Sequence, residues 1–295
     1  MGFDWTAARW LTFSLQYQLE NSRVRPLGIA GTELVSSGRP EDERSRFDYG
    51  VFGLNSLRPT ATLDFRDDPV TPRRGLLFSS SAELIRGLSV SPTDAQGNPL
   101  PEFPINALKL SGTLTGYVPL GRRAVIAASV RGGTIRQLER DARTIPPKRF
   151  FLGGSTSLRG FREDNLLPED RRRSLRADLQ QCNALIGATG CSSEAEVLRS
   201  GDPLPSKGGD LYTLGKLELR LPVYRALDIG LFAETGNLWE DPTLFDPWVL
   251  RPVVGGGLRY STPVGPLALD VGVNLDRDQA LNEPTLQVHF SIGLF

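Results

Sequence analysis

The chain has one methionine, one histidine and two cysteines in 295 residues. No run approaches the roughly eighteen apolar residues that a transmembrane helix needs. A basic, apolar, small-residue leader is missing from the start; if the protein is exported, the sequence is therefore expected to be mature or to lack an N-terminal part. Charge of one sign is missing too, because 34 basic residues balance 34 acidic ones. A nucleic-acid or anionic-surface protein would show a sign asymmetry. The single histidine, His289, sits in the final stretch, and no Ser or Cys lies in an activating constellation, so no catalytic site is expected. Two cysteines alone make a poor zinc site, and neither a metal nor a cofactor is expected.

What is present is alternation with a period of two. Leu11, Phe13, Leu15, Tyr17 and Leu19 interleave with Thr12, Ser14, Gln16, Gln18 and Glu20. Leu217, Leu219 and Leu221 interleave with Lys216, Glu218 and Arg220, and Leu267, Leu269, Val271 and Val273 with Ala268, Asp270 and Gly272. Successive side chains of a strand face opposite sides, so each run has one oily and one wet face. The runs reach roughly 9–11 residues, the length of a tilted strand that crosses a bilayer, whereas strands of soluble proteins are mostly about 5–6 residues long.

The alternation predicts about ten strands, near 8–21, 50–67, 75–86, 107–119, 123–136, 211–222, 227–239, 251–262, 266–276 and 285–295. Connections between them are by turns long and short: 22–49, 87–106, 137–210, 240–250 and 277–284 are long, the rest tight and rich in Pro and Gly. Long loops on one side and tight turns on the other mark outer-membrane barrels, whose short turns are periplasmic. The reading is all-β: residues 1–295 form part of an antiparallel transmembrane β-barrel, with 137–210 as a long extracellular loop and the C-terminus in the periplasm. Within that loop, Asp170 to Leu185 has helical periodicity.

The same loop holds Phe150-Phe151-Leu152-Gly153-Gly154-Ser155-Thr156-Ser157-Leu158-Arg159-Gly160-Phe161. Further motifs follow one order along the chain: Leu63 to Pro69 before it, then Leu217 to Pro222, Phe232 to Trp239, Gly257 to Leu267 and the ending Phe290 to Phe295. This set resembles the BamA/TamA superfamily of outer-membrane assembly factors, or bacterial surface antigens, over most of residues 57–295. The family usually has Val where this chain has Leu158. The glycine-rich stretch is a poor phosphate cradle, lacking a Gly-Lys-Ser/Thr ending and a strand-to-helix setting.

The resemblance implies that Gly153, Gly154, Arg159, Gly160 and Phe161 form the tip of a loop folded back into the barrel. It implies a partner for Arg159 in a Phe-x-Asp motif, here Phe232 and Glu234. An arginine on the lipid face near the midplane costs roughly 2–4 kcal/mol, while in a lumen it pairs bidentately with a carboxylate. Parity agrees: Leu227, Ile229, Leu231 and Ala233 point outward, so Phe232 and Glu234 point inward.

Arg66, Asp67 and Asp68 fall where a strand enters a periplasmic turn, either to contact partner lipoproteins or simply as a solvated turn. Phe290, Gly293 and Phe295 resemble the C-terminal signal of newly made barrels, and a terminal aromatic also suits the membrane interface. Cys182 and Cys191, nine positions apart in an extracellular loop, favour a local disulfide.

By resemblance, the expected function is insertion and folding of other β-barrels in the bacterial outer membrane, without nucleotide. The implied partners are unfolded outer-membrane clients, periplasmic POTRA domains absent from this chain, accessory lipoproteins and the bilayer, with no nucleic acid. The strands match the last ten of the family's sixteen, which suggests a fragment, although a small complete barrel is also possible. A TamA-like or two-partner-secretion transporter, a passive pore and a surface antigen are the alternatives.

Overall fold

A computed structural model describes residues 1–24, 49–94, 97–121, 123–184, 191–224, 226–262 and 265–292. Eleven strands lie side by side in chain order. They are β1 (Gly2–Ala8), β2 (Leu11–Val24), β3 (Tyr49–Asp64), β4 (Gly75–Thr93), β5 (Asn106–Leu120), β6 (Ala124–Gln137), β7 (Leu211–Tyr224), β8 (Leu227–Trp239), β9 (Arg251–Thr262), β10 (Gly265–Asn274) and β11 (Leu286–Ile292). Every neighbouring pair is antiparallel. No helix among the described residues is long and apolar enough to cross a membrane; the strands supply the apolar surface.

Period-two alternation becomes two distinct faces once the strands are in register. On the outer face, Leu63 lies opposite Phe78, Phe78 opposite Leu114, and Leu114 opposite Val130. Phe78, Leu114 and Val130 are all exposed, as are Leu217, Leu231, Leu258 and Leu269 further along the sheet. So large a continuous apolar surface would drive association in water, and it is the ordinary outer face of a strand-built membrane protein. The inner face carries the charges: Glu83 opposite Lys109, and Lys216 opposite both Ser129 and Glu234.

The strand bounds keep the connections at one end of the sheet short, at 9–10, 65–74, 121–123, 225–226 and 263–264. At the other end lie 94–105, 138–210, 240–250 and 275–285, while the expected long connection over 22–49 falls mostly outside the described residues.

Eleven strands are one more than the alternation predicts. The strand expected over 8–21 begins instead at Leu11, after a turn at Arg9 and Trp10, and the seven residues before that turn form β1. So short a segment carries little periodic signal, and its pairing is a cross-strand matter: Trp5 stacks on Phe13 with ring centroids 5.8 Å apart. β4 also outruns its expected end at 86, because Ser89 to Thr93 pair with Gly53 to Tyr49. A loop-like composition there is overridden by a waiting partner strand.

The 138–210 connection packs onto the inner face. It contributes Ile145 to a core with Phe52, Leu54, Ile85, Phe103 and Ile105 on one side. On the other it contributes Leu152, Leu158, Phe161 and Leu166 to a core with Leu214, Phe232, Leu238 and Val253. Among its described residues the connection also carries two α-helices, α1 (Glu169–Ala184), expected over 170–185, and α2 (Ser193–Ser200), which periodicity did not reveal. The caps of α2 were readable: the Ser192 side chain accepts from Ala195 N–H, and Gly201 ends the helix at φ 93°.

Candidate functional site

The loop tip is a compact knot of backbone hydrogen bonds that only glycine permits at two points. Gly153 and Gly154 have φ of 114° and 94°, in the left-handed region that side chains avoid. Gly153 N–H donates to Ser157 Oγ at 2.7 Å, and Ser157 Oγ donates back to Gly153 O at 2.8 Å. Gly154 N–H reaches Leu158 O and Phe161 O. The knot buries Leu158 and Phe161 against the inner wall and leaves Arg159 between them, 1% exposed.

Three inward carboxylates from three strands receive that arginine. Its Nε donates to Glu234 Oε1 and its backbone N–H to Glu234 Oε2, both at 2.8 Å. Nη1 donates to Asp270 Oδ2 at 2.9 Å and Nη2 to Glu218 Oε2 at 3.2 Å. Below the guanidinium lies the Phe232 ring, 3.5 Å from Cζ to centroid, a cation–π contact in a dry setting. A second arginine shares the same acids: Arg259 reaches Glu218 Oε2 at 2.9 Å and Asp270 Oδ1 at 2.7 Å. Lys216 pairs with Glu234 at 3.3 Å and donates to Thr156 O at 3.0 Å, holding the knot from its other side.

Backbone fits backbone at the tip. A Cβ on Gly272 of β10 would sit 2.2 Å from Arg159 O, and one on Gly160 would meet Val253 at 2.8 Å and Asn274 N at 3.1 Å. The Arg159 carbonyl also faces His289 Nε2 of β11 at 3.1 Å. The loop therefore touches β7, β8, β9, β10 and β11.

The structure brings Arg159 together with the inward Phe232 and Glu234, and Glu234 is one acid of three. Glu218, Asp270, Arg259, Lys216, Gly272 and His289 were not singled out as site residues. Inward parity did mark Lys216, Glu218 and Asp270; their convergence on one guanidinium is not a local property. Among the described residues no group of His, Cys, Asp and Glu is arranged to hold a metal ion.

The other expected positions lie elsewhere. Arg66 forks onto Asp64 at 2.9 and 2.8 Å. Asp67 Oδ1 accepts from the N–H groups of Asp68, Arg73 and Arg74, and Asp68 Oδ1 from those of Val70 and Thr71. The N–H groups of Arg73 and Arg74 hold the Asp67 carboxyl below the ordinary carboxylate range, and those of Thr71 and Val70 do the same for Asp68. These acids thus organise their own turn. Phe290 lies on the exposed outer face of β11, while Gly293 and Phe295 fall outside the described residues. Cys182 and Cys191 are disulfide-bonded, joining the end of α1 to the approach of α2. This helical pair grips the β10–β11 connection through Leu281, the Arg172–Asp276 pair at 3.3 Å and Asn282 Nδ2 donating to Leu198 O at 2.6 Å.

Residues 2–295 match the Omp85 superfamily domain. The chain belongs to the Omp85 superfamily. Over 130 residues it is 34% identical to a SAM50-like protein of Schizosaccharomyces pombe, covering 44% of this chain and 25% of that protein. Over 237 residues it is 24% identical to the outer membrane protein assembly factor BamA of Nitratidesulfovibrio vulgaris, covering 79% of this chain and 24% of that one. The Omp85 chain thus spans about a quarter of the length of the curated relatives it matches. Its fold is that of BamA from Haemophilus ducreyi lacking POTRA domains 1–3. That structure superposes with a TM-score of 0.64 at 16% identity, over 99% of this chain and 52% of the other.

Proposed function

We propose that this Omp85 chain is barrel sequence of a BamA-like assembly factor, which inserts and folds β-barrel proteins in the bacterial outer membrane. The superfamily match and the BamA relative support reading the chain as part of a membrane-protein insertase or transporter. The observation that carries the finer reading is the loop tip: Arg159, in a Gly153-to-Phe161 knot, is buried on Glu234, Glu218 and Asp270. A loop lodged against the inner wall obstructs a passive pore and leaves the sheet edge as the place of action. Unpaired N–H and C=O groups on an edge strand template an incoming strand by β-augmentation. The energy comes from the client's own folding.

On this reading the 138–210 connection is extracellular, and the short turns, Arg66 to Asp68 among them, are periplasmic, as is the C-terminus. Unfolded barrel proteins are the clients, and POTRA domains and accessory lipoproteins are the partners this reading implies. Liposomes carrying the chain should fold an unfolded outer-membrane β-barrel client faster than empty liposomes, as followed by protease protection. Arg159→Ala should abolish the gain. Equal rates with and without the chain, together with a steady ion current across planar bilayers, would make it a passive pore instead.

A further inference from the structure

The Arg159 cluster holds only one limb of the long loop. Eleven residues earlier the chain crosses to the opposite part of the sheet, where a single turn of 3-10 helix, Pro146–Lys148, places a lysine on the inner wall. Lys148 Nζ lies 2.9 Å from Glu20 Oε2 of β2 and 3.2 Å from Glu83 Oε1 of β4. Its carbonyl accepts from Lys109 Nζ of β5 at 2.8 Å, and that same ammonium lies 4.3 Å from the centroid of the Phe150 ring. Just before it, Ile145 is fully buried among Phe52, Leu54, Ile85, Phe103 and Ile105.

Charge neutralisation of Glu83 does not explain this arrangement. Glu83 already has a cation from its own sheet, since Arg58 of β3 donates to Glu83 Oε2 through both Nε and Nη2. Glu20 already accepts from Ser22 and Gln18. A buried ammonium that a loop supplies to Glu83, already paired within its own sheet, positions the loop rather than that acid.

We infer that Lys148 is a second anchor, so that the loop is a strap fastened at one end to β2–β5 and at the other to β7–β11. The two fastenings are unequal. Arg159 brings a five-donor fork to three carboxylates and is sealed from water, whereas Lys148 brings a point charge and one of its acids, Glu20, has a quarter of its side chain exposed. The Lys148 limb therefore releases first when the two parts of the sheet move relative to each other, and the tip stays in place. Lys148 is a positioning residue, and it acts whether or not the chain is an insertase.

Hydrogen exchange on the full chain in liposomes, read by mass spectrometry, tests the strap. In Lys148→Met the peptide 143–151 should exchange about tenfold faster or more, while 152–162 keeps its wild-type protection. Planar-bilayer recordings should show added current fluctuations. Lys148→Arg should restore both readouts. If Lys148→Met folds poorly, judged by heat-modifiable gel migration, Glu20→Gln replaces it and should show the same pattern with a smaller amplitude. Unchanged exchange over 143–151, or equal loosening of 152–162, overturns the inference. Neither readout uses client folding, so a failure here is distinguishable from failure of the assembly-factor reading.

Discussion

Arg159 and Glu234, 75 residues apart in sequence, meet twice: the guanidinium Nε and the backbone N–H of Arg159 each donate to a different oxygen of the same carboxylate at 2.8 Å. A side chain alone would fix a charge. The additional backbone donor also fixes the path of the chain through residue 159, so the pair specifies loop position as well as neutrality.

Arg159→Ala should leave Glu234, Glu218 and Asp270 to the remaining cations Arg259, Lys216 and Arg220. Breaking a buried pair by removing one partner costs about 3–5 kcal/mol, and here the loss falls on the tip before the sheet. Peptides covering 152–162 should lose hydrogen-exchange protection while the strand peptides hold theirs. Arg159→Lys keeps the charge but loses the fork, and its protection should fall between wild type and alanine.

Gly272→Ala should be worse than Gly160→Ala, although Gly160 belongs to the motif and Gly272 does not. A Cβ at 272 meets the Arg159 backbone at 2.2 Å, and backbone cannot rotate away. At 160 the nearest atoms are the side-chain methyls of Val253, at 2.8 and 3.0 Å, which can shift slightly, and the backbone contact, with Asn274 N at 3.1 Å, is looser than the one at 272. Overpacking costs about 1–3 kcal/mol. The measurement is the urea midpoint for loss of tip protection; equal midpoints for the two variants would contradict the backbone-contact argument.

The Asp67 turn should be sensitive to acid. Its carboxyl is held below the ordinary value by the N–H groups of Arg73 and Arg74, so the group binds its proton less readily folded than unfolded. Stability from this source is present above the unfolded pKa and is lost as pH falls through the lowered folded value. Amide chemical shifts of Arg73 and Arg74 should titrate together below the usual aspartate range. In Asp67→Asn that titration should vanish, with both amides shifted at every pH.

Much of the site was legible because inwardness is a local property. Once the parity of Leu231 and Ala233 is assigned to the outer face, Phe232 and Glu234 must point in, and the same logic orients Lys216, Glu218 and Asp270. Which inward residues share a height is not local. Glu218 lies opposite Phe232, Gly257 opposite Asp270, and the Arg259 side chain reaches back between them, so the meeting depends on the register of four strands. Strand β1 and helix α2 escaped for a different reason: seven or eight residues carry too little periodic signal, and partners or caps decide them.

By itself the sequence determined the two-faced strands, the alternation of long and short connections, and the Gly153-to-Phe161 tip with its inward acid at 234. The faces, the connections and the inward side of residue 234 follow from side-chain spacing along a strand, set within a few residues; the tip follows from the resemblance of its motif to the BamA/TamA superfamily. Only the tertiary structure decided that Arg159 would serve three acids, that Gly272 would bear its carbonyl, and that Lys148 would tie the same loop to Glu20 and Glu83. Those contacts join residues far apart in sequence, and they exist only when sheet register and loop path bring charges of opposite sign to one depth, out of water, where leaving either unpaired is costly.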